Sequence, residues 1–249
     1  MARPSHPAPA FVRLAGHPVR WQLLTALAHS DLRVRELVEL AGRPQNLVSY
    51  HLRLLRDGGL LTATRSTSDG RDSYYHLDLD RCAEALAGVG AALHPALFPQ
   101  PPVVRRRGIA TLFVCTGNSA RSPVAEALLR RHTAGHVTVT SAGISPRPRL
   151  HPHAVRVLLD RFGIDLAGQR PRPVDAVAGR RFDYVITLCD RAREASPQFA
   201  GEPRRVHWSL PDPAAAGYPA FARMADDIDT RVRHLLPVLG TTDQKEAAP

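Results

Sequence analysis

The chain has 249 residues, a hydrophobic fraction of 44% and a formal net charge of +10. This length allows two small domains, this composition is typical of globular proteins, and the basic charge alone is only a weak indication of nucleic-acid binding. The apolar runs are too short for a membrane helix, the first ten residues lack a signal-peptide core, and three cysteines make no disulfide framework, so we expect a cytoplasmic, non-membrane protein.

The first part of the chain is dominated by helical periodicity. Apolar residues recur at helical spacing over residues 19–27 and again over 34–41. Gly42 then breaks the pattern before a further helix, which opens at Pro44. Two helices joined by a short glycine-containing turn are therefore predicted.

The segment after these helices predicts a β-hairpin. Its strands are Leu60–Arg65 and Ser73–Leu77, and they flank a turn at residues 68–71. Residues 79–93 are helical again. Two helices followed by a hairpin predict a winged helix-turn-helix domain, the kind that binds double-stranded DNA.

This part of the chain resembles the ArsR-type family of dimeric bacterial repressors, most clearly in PQNLVSYHLRLLRDGGLL at residues 44–61. The resemblance covers residues 11–93 and implies a homodimer, formed through the helix at 79–93, on a palindromic DNA operator. The stretch 33–40, where arsenic-sensing members carry cysteines, has none, and Cys82 is interpreted as a core residue. Metalloid sensing within this domain is not supported.

Polar and basic side chains on the recognition helix and the wing are candidates for DNA contact. Some lie near the start of that helix, where side chains reach base edges, and others are basic and suit phosphates. The candidates are Gln45, Asn46, Ser49, Tyr50, Arg53, Arg65 and Arg71.

A proline- and arginine-rich linker is predicted at residues 94–108. Beyond it, over 109–240, short apolar runs alternate with helical patterns. The predicted strands cover residues 109–114, 137–140, 183–188 and 205–208. This alternation predicts an α/β domain with a four-stranded parallel sheet and helices on both faces.

The first of these strands leads into a loop that suits an oxyanion. Cys115 and Arg121 bracket five residues that can curl their backbone N–H groups around an anion at the start of the next helix. Arg121 offers a bidentate donor, and the same field favours the thiolate form of Cys115 as a nucleophile. The other expected oxyanion-binding residues are Thr116, Gly117, Asn118, Ser119, Ala120 and Ser122.

A candidate general acid follows the fourth strand. Asp212, in LPDPA at residues 210–214, could face the nucleophile and protonate a leaving oxygen. A loop aspartate is otherwise more often a turn former.

The part from 109 to 239 resembles the low-molecular-weight protein tyrosine phosphatase superfamily, which includes arsenate reductases. The resemblance rests on residues 112–122, 140–144, 162–165, 183–192 and 207–214. It implies Cys115 as nucleophile, Arg121 as oxyanion clamp and Asp212 as general acid. It also matches Cys189 to the resolving cysteine of thioredoxin-coupled reductases. Those enzymes carry another cysteine seven residues on, where this chain has Ser196.

The sequence thus predicts a DNA-binding regulator fused to an arsenate reductase, with arsenate or phosphate as the bound oxyanion. No bound cofactor and no metal are expected, but a reductase would need an external thiol, either thioredoxin or a low-molecular-weight thiol. Two alternatives stay open. One is a protein tyrosine phosphatase, although Ala214–Ala216 occupy the stretch where such enzymes usually carry tyrosine. The other is a repressor that only senses an oxyanion or an oxidant through Cys115.

Overall fold

The chain divides near residue 101 into two compact units, each with its own hydrophobic core. The computed structural model describes residues 8–66, 72–93, 108–166, 168–195 and 197–240. The buried residues of the first core lie between Ala15 and Leu61, and those of the second between Ile109 and Leu239. Nearly all of the expected linker and the tip of the expected hairpin lie outside the described residues.

The first unit contains five helices and a small antiparallel sheet within the described residues. The helices are α1 (Ala10–Ala15), α2 (Pro18–Leu27), α3 (Val34–Ala41), α4 (Gln45–Asp57) and α5 (Leu79–Leu93). The strands are β1 (Leu32–Arg33), β2 (Leu61–Arg65) and β3 (Ser73–Leu77), in the order β1-β3-β2. The helices α3 and α4 and the hairpin β2–β3 form the expected winged helix-turn-helix. Strand β1 was not foreseen, because two residues carry no periodicity.

The turn between α3 and α4 follows from its residues. The Glu36 carboxylate accepts a 2.7 Å hydrogen bond from the Arg33 amide and so caps the start of α3. Gly42 ends α3 with φ of 58°, a left-handed conformation that suits glycine. Pro44 then caps α4, where Val48, Leu52 and Leu55 are fully buried.

The second unit is built on a parallel four-stranded sheet. Its strands are β4 (Ala110–Cys115), β5 (Thr138–Gly143), β6 (Tyr184–Thr187) and β7 (Arg204–His207), in the order β5-β4-β6-β7. Its helices are α6 (Arg121–His132), α7 (Pro152–Phe162), α8 (Asp190–Glu194) and α9 (Gly217–Gly240), with a short 3-10 helix at Val174–Ala176. The α/β architecture is as predicted from the sequence.

The strand order fixes where chemistry can occur. The central strands β4 and β6 are buried along nearly all of their length, as expected for a parallel sheet covered on both faces. Because the strands are parallel, their carboxyl ends meet at one edge. Cys115 ends β4, Gly143 ends β5, Cys189 follows β6 and Leu210 follows β7, so all four lie toward that edge.

No helix in the part of the chain that the structure describes is long and apolar enough to cross a membrane.

Candidate functional site

The Cys115 sulfur lies at the end of β4, where two donor groups approach it. Cys115 is only 2% exposed. The backbone amide of Asn118 donates to Sγ over 3.2 Å, and the Ser122 hydroxyl lies 3.0 Å from the same atom. Helix α6 begins at Arg121, which adds the positive end of its dipole near the sulfur. Hydrogen bonds to sulfur and a helix N-terminus both favour the thiolate.

The loop after Cys115 is held from the outside by the segment that follows β5. The amides of Ser145, Arg147 and His151 donate to the carbonyls of Thr116, Gly117 and Ser119 over 2.8–2.9 Å. In a trans peptide the N–H points away from its carbonyl. The loop amides that follow these carbonyls are therefore directed toward the interior of the loop, as an oxyanion cradle requires.

Asn118 braces the loop from within. It is 1% exposed and has φ of 45°, which asparagine tolerates better than most residues. Its side-chain amide donates to the hydroxyls of Ser122 and Ser141, each over 2.9 Å, and its carbonyl oxygen accepts the Arg172 amide over 2.8 Å. The side-chain amide of Asn118 thus bonds to other groups of the protein, so Asn118 stabilises the conformation of the loop.

The conformation of the loop also requires a glycine outside it, at position 143. A Cβ on Gly143 would lie 2.8 Å from the Thr116 carbonyl oxygen and 2.9 Å from the Asn118 nitrogen. Both are backbone atoms that cannot swing aside. The end of β5 therefore approaches the loop so closely that only glycine fits.

Arg121 and Asp212 meet at the mouth of the loop. The Arg121 side chain is 7% exposed and donates to the Leu210 carbonyl over 3.1 Å. Its other terminal nitrogen lies 3.2 Å from Asp212 Oδ2, and the Asp212 side chain is 61% exposed. Both residues line the same cavity as Cys115. Three of the four side chains that the sequence suggested for catalysis therefore line one cavity.

The two other cysteines are placed differently. Cys189 is 2% exposed, directly precedes α8, and has its sulfur 3.3 Å from the Thr116 hydroxyl, but it does not line the cavity. Ser196 lies outside the described residues. Cys82 belongs to the first unit, where burial, assisted by Asp78, raises its pKa to about 11. Cys189 is thus beside the loop, and Cys82 is a poor nucleophile.

The cavity extends well beyond the loop. Its volume is about 710 Å³, and its further wall is made of Arg147, Pro148, Arg149, Leu150, His151, Pro152, Ala214 and Phe221. The His151 ring stacks on Phe221 with centroids 4.4 Å apart. Burial lowers the pKa of His151, the neighbouring His153 lowers it further, and Asp212 opposes both. The part of this wall at residues 147–152 had no signal in the sequence, because hydrogen bonds from Arg147 and His151 to the loop place it there.

Most of the residues expected to contact DNA form an exposed surface on the first unit. Gln45, Asn46, Ser49, Tyr50 and Arg53 are exposed along α4, with the Arg53 guanidinium 5.8 Å from the Tyr50 ring centroid. Arg65 is exposed at the end of β2. Arg71 lies outside the described residues. The recognition helix therefore presents a polar and basic face.

In the described ranges of the chain, no three histidine, cysteine, aspartate or glutamate side chains are grouped closely enough to hold a metal ion.

Two family models match the chain. Residues 110–246 match the model of the low molecular weight phosphotyrosine protein phosphatases, and residues 17–72 match that of the MarR family. The expectation of an ArsR-type repressor is thereby corrected to a MarR-family domain. The order of two helices and a hairpin predicts a winged helix-turn-helix but does not distinguish one such family from another.

Individual relatives match the second half. An arsenate reductase of Brevibacillus brevis and one of Bacillus anthracis are each 36% identical over 121 residues, which is 49% of this chain and 89% of each relative. A crystal structure of an arsenate reductase from Archaeoglobus fulgidus is 32% identical, covers 51% of this chain and 98% of its own, and has a TM-score of 0.44.

Proposed function

The second half of the chain belongs to the low molecular weight phosphotyrosine protein phosphatase family, and on this premise we propose that it reduces arsenate to arsenite. Residues 17–72 match the MarR family of helix-turn-helix proteins, so the chain is a fusion of a regulator domain with this enzyme fold. The observation that carries the proposal is the meeting of Cys115, Arg121 and Asp212 in one cavity. The identity of 36% to proteins named arsenate reductase supports the choice of arsenate.

In the first step Cys115 attacks arsenate. The loop amides and Arg121 hold the oxyanion, and the Cys115 thiolate forms a sulfur–arsenic bond while one arsenic–oxygen bond breaks. Asp212, protonated once arsenate has displaced it from Arg121, donates its proton to the departing arsenate hydroxyl, which leaves as water. Arsenic remains pentavalent in the Cys115 adduct. For this step arsenate takes the place of the Asp212 carboxylate beside Arg121, a change that the 61% exposure of Asp212 permits.

In the second step a thiol reduces the arsenic. It attacks the Cys115 sulfur and forms a disulfide, while the electron pair of the sulfur–arsenic bond passes to arsenic and releases arsenite. The thiol is Cys189 or an external donor, thioredoxin or a small thiol; no cofactor is bound. The contact of Cys189 with Thr116 supports the first source. The serine at 196 supports the second, because no third thiol continues the exchange.

The regulator domain is proposed to bind double-stranded DNA as a homodimer in the cytoplasm, where DNA and reduced thiols occur together. Gln45, Asn46, Ser49 and Tyr50 would face base edges, while Arg53, Arg65 and Arg71 would contact phosphates. Helix α5 is largely apolar, yet it packs only partly against its own core and none of its fifteen residues is fully buried there, which suits a dimer interface. We assign residues 11–93 to this domain, 94–108 to the linker and 109–240 to the enzyme.

The second candidate is a phosphatase acting on phosphotyrosine or a small ester. The family match favours it, since the same cysteine, arginine and aspartate serve that reaction. Ala214 in the cavity wall disfavours it, because an aromatic side chain would be needed there to hold a phosphotyrosine ring. A third possibility, a repressor that only senses an oxyanion or an oxidant, leaves the exposed Asp212 without a role.

One experiment separates these functions. The purified chain is given arsenate with thioredoxin or a small thiol and, separately, an aryl phosphate, with Cys115→Ser as the control. We expect arsenite to form with wild-type protein and not with the variant. Hydrolysis of the ester without formation of arsenite would show that the chain is a phosphatase and not a reductase. If neither substrate reacts but arsenate alters DNA binding, the sensor is the correct function.

A further inference from the structure

The lining of the cavity includes two arginines that the reaction steps above do not use. Arg147 and Arg149 are both exposed and both line the cavity. Among the residues that the structure describes, neither side chain forms an ion pair or a hydrogen bond. Two unpaired cations beside an oxyanion site indicate a binding site for a further negative charge.

These arginines are fixed relative to the nucleophile. The Arg147 amide donates to the Gly117 carbonyl over 2.9 Å, and His151, just beyond Arg149, donates to Ser119 over 2.8 Å. A Cβ on Gly117 would lie 3.1 Å from Arg147 Cγ, so the stem of Arg147 rests on the loop itself. The segment also contains Pro146 and Pro148, which restrict its backbone. A ligand held here would be positioned against Cys115.

Charge and size both exceed what arsenate needs. The cavity lining has three arginines and one aspartate, and Arg121 alone suffices to clamp a tetrahedral oxyanion. The volume of about 710 Å³ is also in the range of sites for organic ligands rather than for a single small anion. The remaining space and charge therefore suit an organic molecule that carries carboxylates.

We infer that Arg147 and Arg149 bind the carboxylates of a low-molecular-weight anionic thiol, which is the reductant of the Cys115–arsenate adduct. This inference rests on the proposed reductase and names its second substrate. The bound thiol attacks the Cys115 sulfur and forms a mixed disulfide; the sulfur–arsenic electron pair reduces arsenic(V) to arsenic(III), and the thiol proton leaves with arsenite. A second molecule of the thiol then releases Cys115 as a thiol and carries away the small disulfide. Two thiols are oxidised for each arsenate reduced.

The test compares thiols of different charge on the full chain. Glutathione supplies two carboxylates, 2-mercaptoethanol is neutral and cysteamine is a cation. The variant is Arg147→Gln/Arg149→Gln, and the matched control is Arg170→Gln/Arg223→Gln, which removes two exposed arginines that do not line the cavity. We expect the ratio of kcat/KM for glutathione to kcat/KM for 2-mercaptoethanol to fall about tenfold in the variant, as for two partly exposed ion pairs.

Further outcomes of this comparison are decisive. In the variant, the ratio of kcat/KM for cysteamine to kcat/KM for glutathione should rise. Added salt should lower the preference of the wild-type protein for glutathione. An unchanged ratio in the variant, an equal fall in the control, or turnover with thioredoxin but not with glutathione would overturn the anionic-thiol site and leave the reductase intact. A chain that makes no arsenite with any thiol would overturn the reductase, and the thiol site with it.

A binding measurement gives a second readout. S-methylglutathione keeps both carboxylates but cannot react, so its heat of binding reports the site without turnover. Wild-type and control proteins should bind it more tightly than Arg147→Gln/Arg149→Gln. Equal affinity for all three proteins would contradict the assignment of the carboxylates to these arginines.

Discussion

At the scale of single residues, the Cys115 site depends on how closely backbone and side chains approach each other. The sulfur has one amide at 3.2 Å and one hydroxyl at 3.0 Å, and Asn118 holds both donors through its own hydrogen bonds. Such a site loses rate when its atoms move by less than an ångström, because the reacting groups must remain aligned.

Gly143→Ala should therefore strongly reduce the proposed activity. A Cβ at this position would lie 2.8 Å from the Thr116 oxygen and 2.9 Å from the Asn118 nitrogen, so the loop must shift. We expect kcat/KM for the substrate to fall about 10²-fold. Gly179→Ala is the matched control, because a Cβ there meets nothing within 4 Å. Equal activity of the two variants would show that the loop tolerates the shift.

A pH dependence is expected from His51 on α4. This side chain is 4% exposed, and burial, aided by His17 and Arg20, lowers its pKa below 6.5. In the unfolded chain the pKa is ordinary, so as pH falls through about 6.5 the unfolded state takes up a proton that the folded state does not. The free energy of unfolding of the first unit should thus decrease on acidification.

The measurement is the urea midpoint at pH 7.5 and pH 5.5, followed by Trp21 fluorescence in a Trp208→Phe background. His51→Gln should reduce the difference between the two midpoints, whereas His29→Gln, at an exposed histidine, should leave it as in wild type. If His51→Gln keeps the full pH dependence, another group is responsible.

At the scale of elements, α6 and β5 are joined beneath the loop by a chain of buried polar groups. Ser141 on β5 receives the Asn118 amide over 2.9 Å and donates to Glu126 on α6 over 2.6 Å. Arg130 then pairs with the other Glu126 oxygen at 2.6 Å. Each buried group has its partner, so this network fixes the loop rather than weakening the core.

The recognition helix α4 offers a prediction of its own. Arg53→Gln should weaken binding to duplex DNA of any sequence. It should also reduce the magnitude of the slope of log affinity against log salt by about 0.9 for each subunit that contacts a phosphate through Arg53. Fluorescence anisotropy of a labelled duplex measures both quantities. Arg223→Gln, an exposed arginine of the other unit, is the control. A changed sequence preference with an unchanged slope would instead assign Arg53 to a base edge.

At the scale of the whole molecule, the two hydrophobic cores share no residue. Each unit therefore has the means to fold by itself. The fusion places a DNA-binding domain and an enzyme fold in one chain without requiring a common core.

A fragment of residues 109–240 should accordingly retain the kcat/KM of the full chain for arsenate, measured with the same thiol. The same fragment with Cys115→Ser provides the blank. A folded but inactive fragment, judged by circular dichroism, would mean that residues before 109 contribute to catalysis and would contradict the proposed domain bounds.

The sequence by itself determined what is local in this protein. Residues 115–122 are consecutive, so their composition alone indicated a loop for an oxyanion, and the periodicity of residues 34–57 alone indicated the helix-turn-helix. The MarR family was not distinguished in this way, because the order of elements is common to winged helices. The two-residue strand β1 was missed because pairing with β3 forms it.

Only the tertiary structure decided what surrounds the nucleophile. Gly143, Arg147 and His151 reach the loop through hydrogen bonds and close packing between segments far apart in the chain, and such contacts leave no periodic trace in the sequence. The same contacts place Arg147 and Arg149 in the lining of the cavity that Arg121 also lines. The sequence therefore indicated the cysteine and arginine of the loop, whereas the tertiary structure decided which other side chains line the cavity, because charge and shape at a cavity wall arise from the packing of distant segments.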